Sequence, residues 1–457
     1  MYKKLLEELE KRLNKKTIHD LRQIGRAVGV RRPAWGKKEL LLNGIMSIAS
    51  GESDPVAHSS RGAPPKSEEY DRQLVADVMR CREICLAPEA KYDENALLSV
   101  SSGVKFDSLE FVAEGVLEKL EGKWFMRVGN GGVKLSVFVS DYYVQSFGLC
   151  EGDLLSGQCK RESEDEDPGL AALHSVNGLS PESVRSRPSF ETLSPVYPDK
   201  QLFTAAQDDI TGRLVGLLAP LGAGQRAVIS GAAGTGKTTV LKKLALAIKR
   251  SNPAVRLAVV SIDARVEEAA ELTRLFPDAQ LFISPFGSEA AESVRLARLA
   301  LEFCKRQAEA AMDAVLILDG VTRLAYAMNS YGNLVEPRLD CLALEHIKKY
   351  IASARNLKEG GSLTVITSAL TDGGGVEQVV YSALNGICNA HIALSKRLAR
   401  MRVFPAVDME NTYSGGDEGF ASGRVISLGK LIRSKSTEEV IQLLSECADD
   451  ELLKKLG

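Results

Sequence analysis

One octapeptide constrains this chain more than any other feature. Residues 231–238 read Gly-Ala-Ala-Gly-Thr-Gly-Lys-Thr, with the apolar run RAVIS before them and the helix-forming run TTVLKKLALAIKR behind. The pattern GxxxxGK[ST] asks for a strand that ends, a turn that presents its N–H groups, and a helix whose positive end faces the same point. Polyphosphate is the ligand such a corner suits. Gly231, Gly234 and Gly236 let the backbone turn tightly and approach phosphate oxygens. Lys237 would reach β- and γ-phosphates, Thr238 would ligate magnesium, and Thr235 and Thr239 complete the expected ATP-binding set.

The surroundings agree. LAVVSID, QLFIS, AVLILD, SLTVITSAL and HIALS are apolar runs separated by helical stretches, which predicts a mainly parallel sheet covered on both faces. The run AVLILDG ends its apolar part at Asp319, placing a carboxylate where a second metal contact is needed. LAVVSID ends at Asp263 and is followed by Ala264, Arg265, Glu267 and Glu268, at the sheet edge where a water-activating carboxylate would stand. A charged first helical turn accounts for the same residues through the helix dipole.

Composition excludes several classes. With 58 Lys and Arg against 60 Asp and Glu, the net charge of −2 is not that of a histone-like protein. Hydrophobic residues at 44% exclude global disorder. Apolar runs fall short of the roughly 18 residues that span a bilayer, and MYKKLLEELEKRL lacks a secretion-signal core, so the expectation is cytoplasmic with no membrane partner. Eight scattered cysteines contain no CxxC pair, so reduced structural thiols are expected rather than zinc.

Patterning divides the chain into five stretches. Residues 1–50 read as a helical unit, with Thr17 and Asp20 as a capping pair. Residues 51–110 read as linker or insertion, with one helix over Tyr70–Cys85. Short runs over 111–160 predict a small β-barrel of about five strands. Residues 161–200 are a connector opening on an acidic loop, and 201–457 form the α/β unit with C-terminal helices.

Several further strings resemble a known family, the bacterial transcription termination factors Rho. These are 214–245, IDARVEE at 262–268, LILDGVTRLA at 316–325, SARNLKEGGSLTVITSAL at 353–370 and RVFPAVD at 402–408, in family order. GVRRPAWGKKELL also resembles a SAP-type nucleic-acid-binding helical pair. The resemblance implies a RecA-like P-loop ATPase domain preceded by an OB/cold-shock-like barrel and a helical N-terminus. It implies ATP and Mg²⁺, single-stranded RNA, a homo-hexameric ring, and the RNA polymerase machinery as partners. Asp319 is then the metal-side carboxylate, Phe404 packs near adenine, and Arg402 lies near the subunit boundary.

The sequence departs from that family at matching points. Ala264 stands where the family has its catalytic Glu, leaving Glu267 and Glu268 as substitutes, and the first Arg after VFPAVD is Arg424. The loop after LTD is GGGVEQ, without the family's Lys; Lys348 and Lys349 remain as RNA contacts or as a solvated helix face. The barrel string is Lys123-Trp124-Phe125-Met126-Arg127, where Trp124, Phe125 and Phe138 would stack on bases and Lys123 and Arg127 meet phosphates, unless an aromatic belongs to the core. Weakened hydrolysis is expected. A fully active RNA-dependent translocase and a non-hydrolysing regulatory paralogue stand as alternatives, with another RecA-like ATPase, such as a rotary-motor subunit or a recombinase, further off.

Overall fold

The structure, a computed structural model, describes residues 9, 11–28, 30, 37–49, 78, 110–129, 135–161, 167–204, 209–331 and 340–446. Two units separate, Met1–Gly103 and Val104–Gly457. In the first, helices form over Ile18–Ala27 and Lys38–Ala49. The capping pair is reciprocal: Asp20 N–H donates to Thr17 Oγ1 at 3.2 Å, and Thr17 N–H donates to Asp20 Oδ2 at 3.1 Å. Leu21, Ile24 and Ile45, on the apolar stripes of these helices, are buried together with Leu13. Of the helix expected over Tyr70–Cys85, only Val78 is among the described residues.

The second unit begins with a closed barrel. Its strands are β1 (Glu110–Leu120), β2 (Lys123–Val128), β3 (Leu135–Val139), β4 (Leu154–Lys160) and β5 (Gly169–Val176), joined in the order β1-β2-β3-β5-β4. Glu121 and Gly122 both take positive φ, 50° and 83°, the geometry of a two-residue hairpin whose twist matches its strands. Leu117, Met126, Val137, Val139 and Leu155 fill the interior. The fifth strand lies beyond residue 160, so the barrel extends into the stretch read as connector. The small residues of GLAALHSV and the acidic run before it hide that strand from an alternation test.

Strands β6 (Pro195–Val196), β7 (Arg226–Gly231), β8 (Arg256–Ala264), β9 (Gln280–Pro285), β10 (Asp313–Asp319), β11 (Arg355–Leu357), β12 (Ser362–Leu370), β13 (Ala390–Leu394) and β14 (Tyr413–Ser414) build one sheet. Its order is β14-β13-β7-β12-β10-β8-β9, with β11 and β6 at the side of β12. β13, β7, β12, β10, β8 and β9 run parallel, so their C-terminal ends share one edge. The Lys237–Ser251 helix buries Leu241, Leu244 and Ile248 on one face of the sheet. The Ala290–Glu309 helix buries Ala297, Ala300 and Phe303 on the other.

Barrel and sheet share a buried seam. Gly152, at φ 92°, lies so close to the Ala290–Glu309 helix that a Cβ would stand 2.4 Å from the Glu302 carbonyl carbon. Arg187 donates to both Asp153 oxygens at 2.5 and 2.8 Å, and its Nε lies 3.1 Å from Glu309 Oε2. Buried Glu118 of β1 pairs with Arg295 of the helix and, at 3.5 Å, with Arg127.

Candidate nucleotide site

Strand β7 ends in Gly231, and the Lys237–Ser251 helix begins one turn later. Gly234 and Gly236 take φ of 75° and 91°, which L side chains rarely adopt, and Gly236 is the helix N-cap. A Cβ at either would meet nothing within 4 Å, so there is room over the loop for a phosphate chain. Gly231 is required for another reason: a Cβ there would stand 2.7 Å from Thr235 Oγ1, which itself donates to the Ala232 carbonyl. Thr239 follows in the first helical turn.

Lys237 Nζ donates to the carbonyls of Gly231 and Ala232 at 2.9 and 2.7 Å. Burial lowers its pKa, against the opposing pull of Asp372 and Asp319. Thr238 Oγ1 donates to Asp319 Oδ2 at 2.6 Å, and Ser368 Oγ donates to Oδ1 at 2.6 Å. A hydroxyl beside a carboxylate, both oxygen donors, suits Mg²⁺, which keeps most of its shell for phosphate and water. Bound there, the ion would offset phosphate charge.

The strand end expected to carry a water-activating carboxylate is built differently. Ala264 is 1% exposed and packs in the apolar core, while Asp263 before it takes φ 51°. Glu267 is exposed on the Val266–Leu275 helix. Glu268 lines a small cavity with Thr238, Ser261, Lys242 and Asp319, and lies 4.0 Å from Lys242 Nζ. Of the two glutamates, the structure brings Glu268 into one cavity with Thr238 and Asp319 and leaves Glu267 outside it.

RVFPAVD loops against the C-terminal end of β13, where Ser395 N–H donates to the Ala406 carbonyl and Asp408 N–H to that of Ala393. Since Leu394 pairs with Gly231, Phe404, 52% exposed, belongs to the sheet edge that carries the phosphate loop. Arg402 is exposed at φ 62°. The chain then runs back to the other end of β13, where Tyr413 pairs with His391, and Arg424 follows in the Gly423–Ile432 helix. Lys348 and Lys349 lie on the exposed face of the Cys341–Ala352 helix.

On the barrel, Phe125 and Phe138 face each other across β2 and β3, ring centroids 6.1 Å apart in a T-shaped pair, with Lys123 exposed nearby. Trp124 takes the other face of β2 and packs against the barrel core, with Lys119 Nζ 5.1 Å from its ring centroid. Its placement is that of a core aromatic. Arg127 is held by Glu118 and by Ser136 Oγ at 2.5 Å.

Sequence reading missed Ser368 and Asp372. Both follow from strand order: β12 sits between β7 and β10, so its end meets the phosphate loop and Asp319 together. The only sequence signal was polar residues closing the apolar run SLTVITSALTD.

Comparison with known proteins agrees with this architecture. The ATP synthase alpha/beta family, nucleotide-binding domain, matches residues 212–414. A solved ATPase of the type III secretion system of pathogenic bacteria is 20% identical, with a TM-score of 0.50 over 65% of this chain and 94% of that one, which supports the fold alone. Transcription termination factor Rho of Mycobacterium tuberculosis (strain ATCC 25618 / H37Rv) is 34% identical over 348 residues, 72% of this chain; the chain spans 58% of that relative's length. Rho of Aquifex aeolicus (strain VF5) is 34% identical over 401 residues, covering 83% of this chain and 92% of the relative. With that coverage joined to a parallel sheet, its phosphate loop and a closed barrel ahead of them, the chain belongs to the transcription termination factor Rho family.

Proposed function

We propose that this protein is a cytoplasmic, ATP-binding ring protein that holds single-stranded RNA and acts with the RNA polymerase machinery in transcription termination, with ATP hydrolysis weakened. One observation carries the weakened hydrolysis: a complete phosphate loop and Thr238–Asp319 pair stand beside an Ala264 sealed in apolar core. The residues that bind and orient a nucleotide are present; the one that would polarise water is a methyl group. Without a carboxylate at that point, a bound nucleotide acts chiefly as a stabilising ligand. Phe125 and Phe138 of the oligonucleotide-binding barrel stack on bases, and Phe404 packs on adenine. The five-part division stands as the working map, with the N-terminal helices as a further nucleic-acid contact and residues 161–200 ceding β5 to the barrel.

The test is ATPase of the purified chain with and without single-stranded RNA, beside Lys237→Ala and a nucleotide-binding measurement. Binding without RNA-stimulated turnover is expected. A robust RNA-dependent rate abolished by Lys237→Ala would overturn the weakened-hydrolysis reading. In that event Glu268, which shares a cavity with Thr238 and Asp319, is the substitute carboxylate. Glu268→Gln would then abolish the rate, while Glu267→Gln would leave it.

A further inference from the structure

The amide of Ala233, inside the phosphate loop, already has an acidic partner. Asp372, just beyond β12, accepts a hydrogen bond from Ala233 N–H at 3.0 Å through Oδ1. Its other oxygen accepts from Lys396 Nζ at 3.0 Å. A phosphate-loop lysine serves the β- and γ-phosphates. Lys237 Nζ sits at the carbonyls of Gly231 and Ala232, so that corner is the γ-phosphate end of the loop, and Ala233 supplies its next amide.

The loop that carries Asp372 is anchored. A Cβ at Gly373 would stand 2.3 Å from Glu377 Cδ, so a side chain there would displace Glu377 from over this turn. Glu377 Oε1 in turn accepts from Tyr326 Oη at 2.6 Å. Asp372 is thus held at the phosphate loop by the Ala233 amide and Lys396, on a turn that Glu377 covers. The hydrogen bond from Lys396, with the Ala233 amide, holds its carboxyl below the usual carboxylate range, so it is charged at neutral pH.

We propose that Asp372 is a γ-phosphate gate: a carboxylate that occupies the Ala233 amide, must yield it to a nucleoside triphosphate, and so sets the preference of this site between ATP and ADP. The inference rests on the nucleotide reading above. Two anions cannot share one donor without repulsion. A diphosphate ends one phosphoryl group short of Ala233 and meets less of that charge. Lys396 tempers the gate by neutralising part of it.

Calorimetric titration of the full chain with Mg-ATP and Mg-ADP tests this. Asp372→Asn keeps the side chain's size and an oxygen acceptor but removes the charge. It should tighten ATP about tenfold and change ADP by less than about twofold. Asp372→Ser should shift the ratio the same way. Lys396→Met should weaken ATP in the native background and do nothing alongside Asp372→Asn, the sign of a direct coupling. An unchanged ATP-to-ADP ratio in Asp372→Asn would overturn the gate, as would weaker ATP binding, which would make Asp372 a partner of the triphosphate. If the unsubstituted chain bound neither nucleotide, the nucleotide reading itself would fall and the gate with it.

Discussion

Ala264 is where a single side chain decides most. The obvious repair, Ala264→Glu, restores the family's residue type but not its surroundings, because the methyl packs among apolar neighbours at 1% exposure. A carboxylate there must be buried without a charge partner or push the end of β8 out of register. Burying an unpaired polar group costs about 1 to 3 kcal/mol or more. Ala264→Glu is therefore expected to lower the thermal midpoint by several degrees and leave ATPase near the Lys237→Ala blank. A clear gain in RNA-stimulated rate would show that the strand end relaxes and that hydrolysis was one residue away. This obstacle is not legible in IDARVEE, which shows an alanine and not the packing around it.

The elements hold together through a buried seam, and its charges are not equal. Arg187 is tied to Asp153 and Glu309, both 0% exposed, whereas Arg298 and its partner Glu151 lie toward solvent, with Arg298 58% exposed. Removing Arg187 leaves buried Asp153 without a cation and Glu309 with Arg306 alone, a loss of up to about 3 to 5 kcal/mol, while an exposed pair contributes about 0 to 1. Arg187→Met should lower the urea midpoint strongly, and Arg298→Met hardly at all; equal effects would mean that the seam is not what fixes the barrel. Much at this scale was legible in sequence. The alternation of apolar runs and helices predicted the parallel sheet, and the capping pair of Thr17 and Asp20 predicted a helix start. The facing of β2 was legible too: in KWFMRV, Trp124, Met126 and Val128 form a wholly apolar alternating set and Lys123, Phe125 and Arg127 the other, so the period itself sends Trp124 inward and Phe125 outward. Other features were not. Strand order, which brings Ser368 and Asp372 to the phosphate loop, comes from pairing between runs far apart in the chain.

For the whole molecule, net charge sets what RNA binding must rest on. At −2 overall, the chain has no broad field to attract a polyanion, so affinity has to come from local contacts. Phe125 and Phe138 offer stacking surface, while Lys348 and Lys349 offer only charge on an exposed helix face. These two sources separate by salt. Stacking is worth about 1 to 3 kcal/mol per base and depends little on ions, whereas each phosphate contact adds about 0.7 to the slope of log affinity against log salt for single strands. The double substitution Phe125→Ala, Phe138→Ala should weaken binding of labelled single-stranded RNA tenfold or more, by about 1.4 kcal/mol at least, with little change in slope. Phe138 is already 42% exposed, so the barrel core loses little packing. Lys348→Ala with Lys349→Ala should instead flatten the slope by about 1.4 if that helix face touches RNA, and leave it untouched if the face is merely solvated. Anisotropy titrations at three salt concentrations read both. Undiminished affinity in the phenylalanine variant, with the barrel still folded, would move RNA recognition off the barrel.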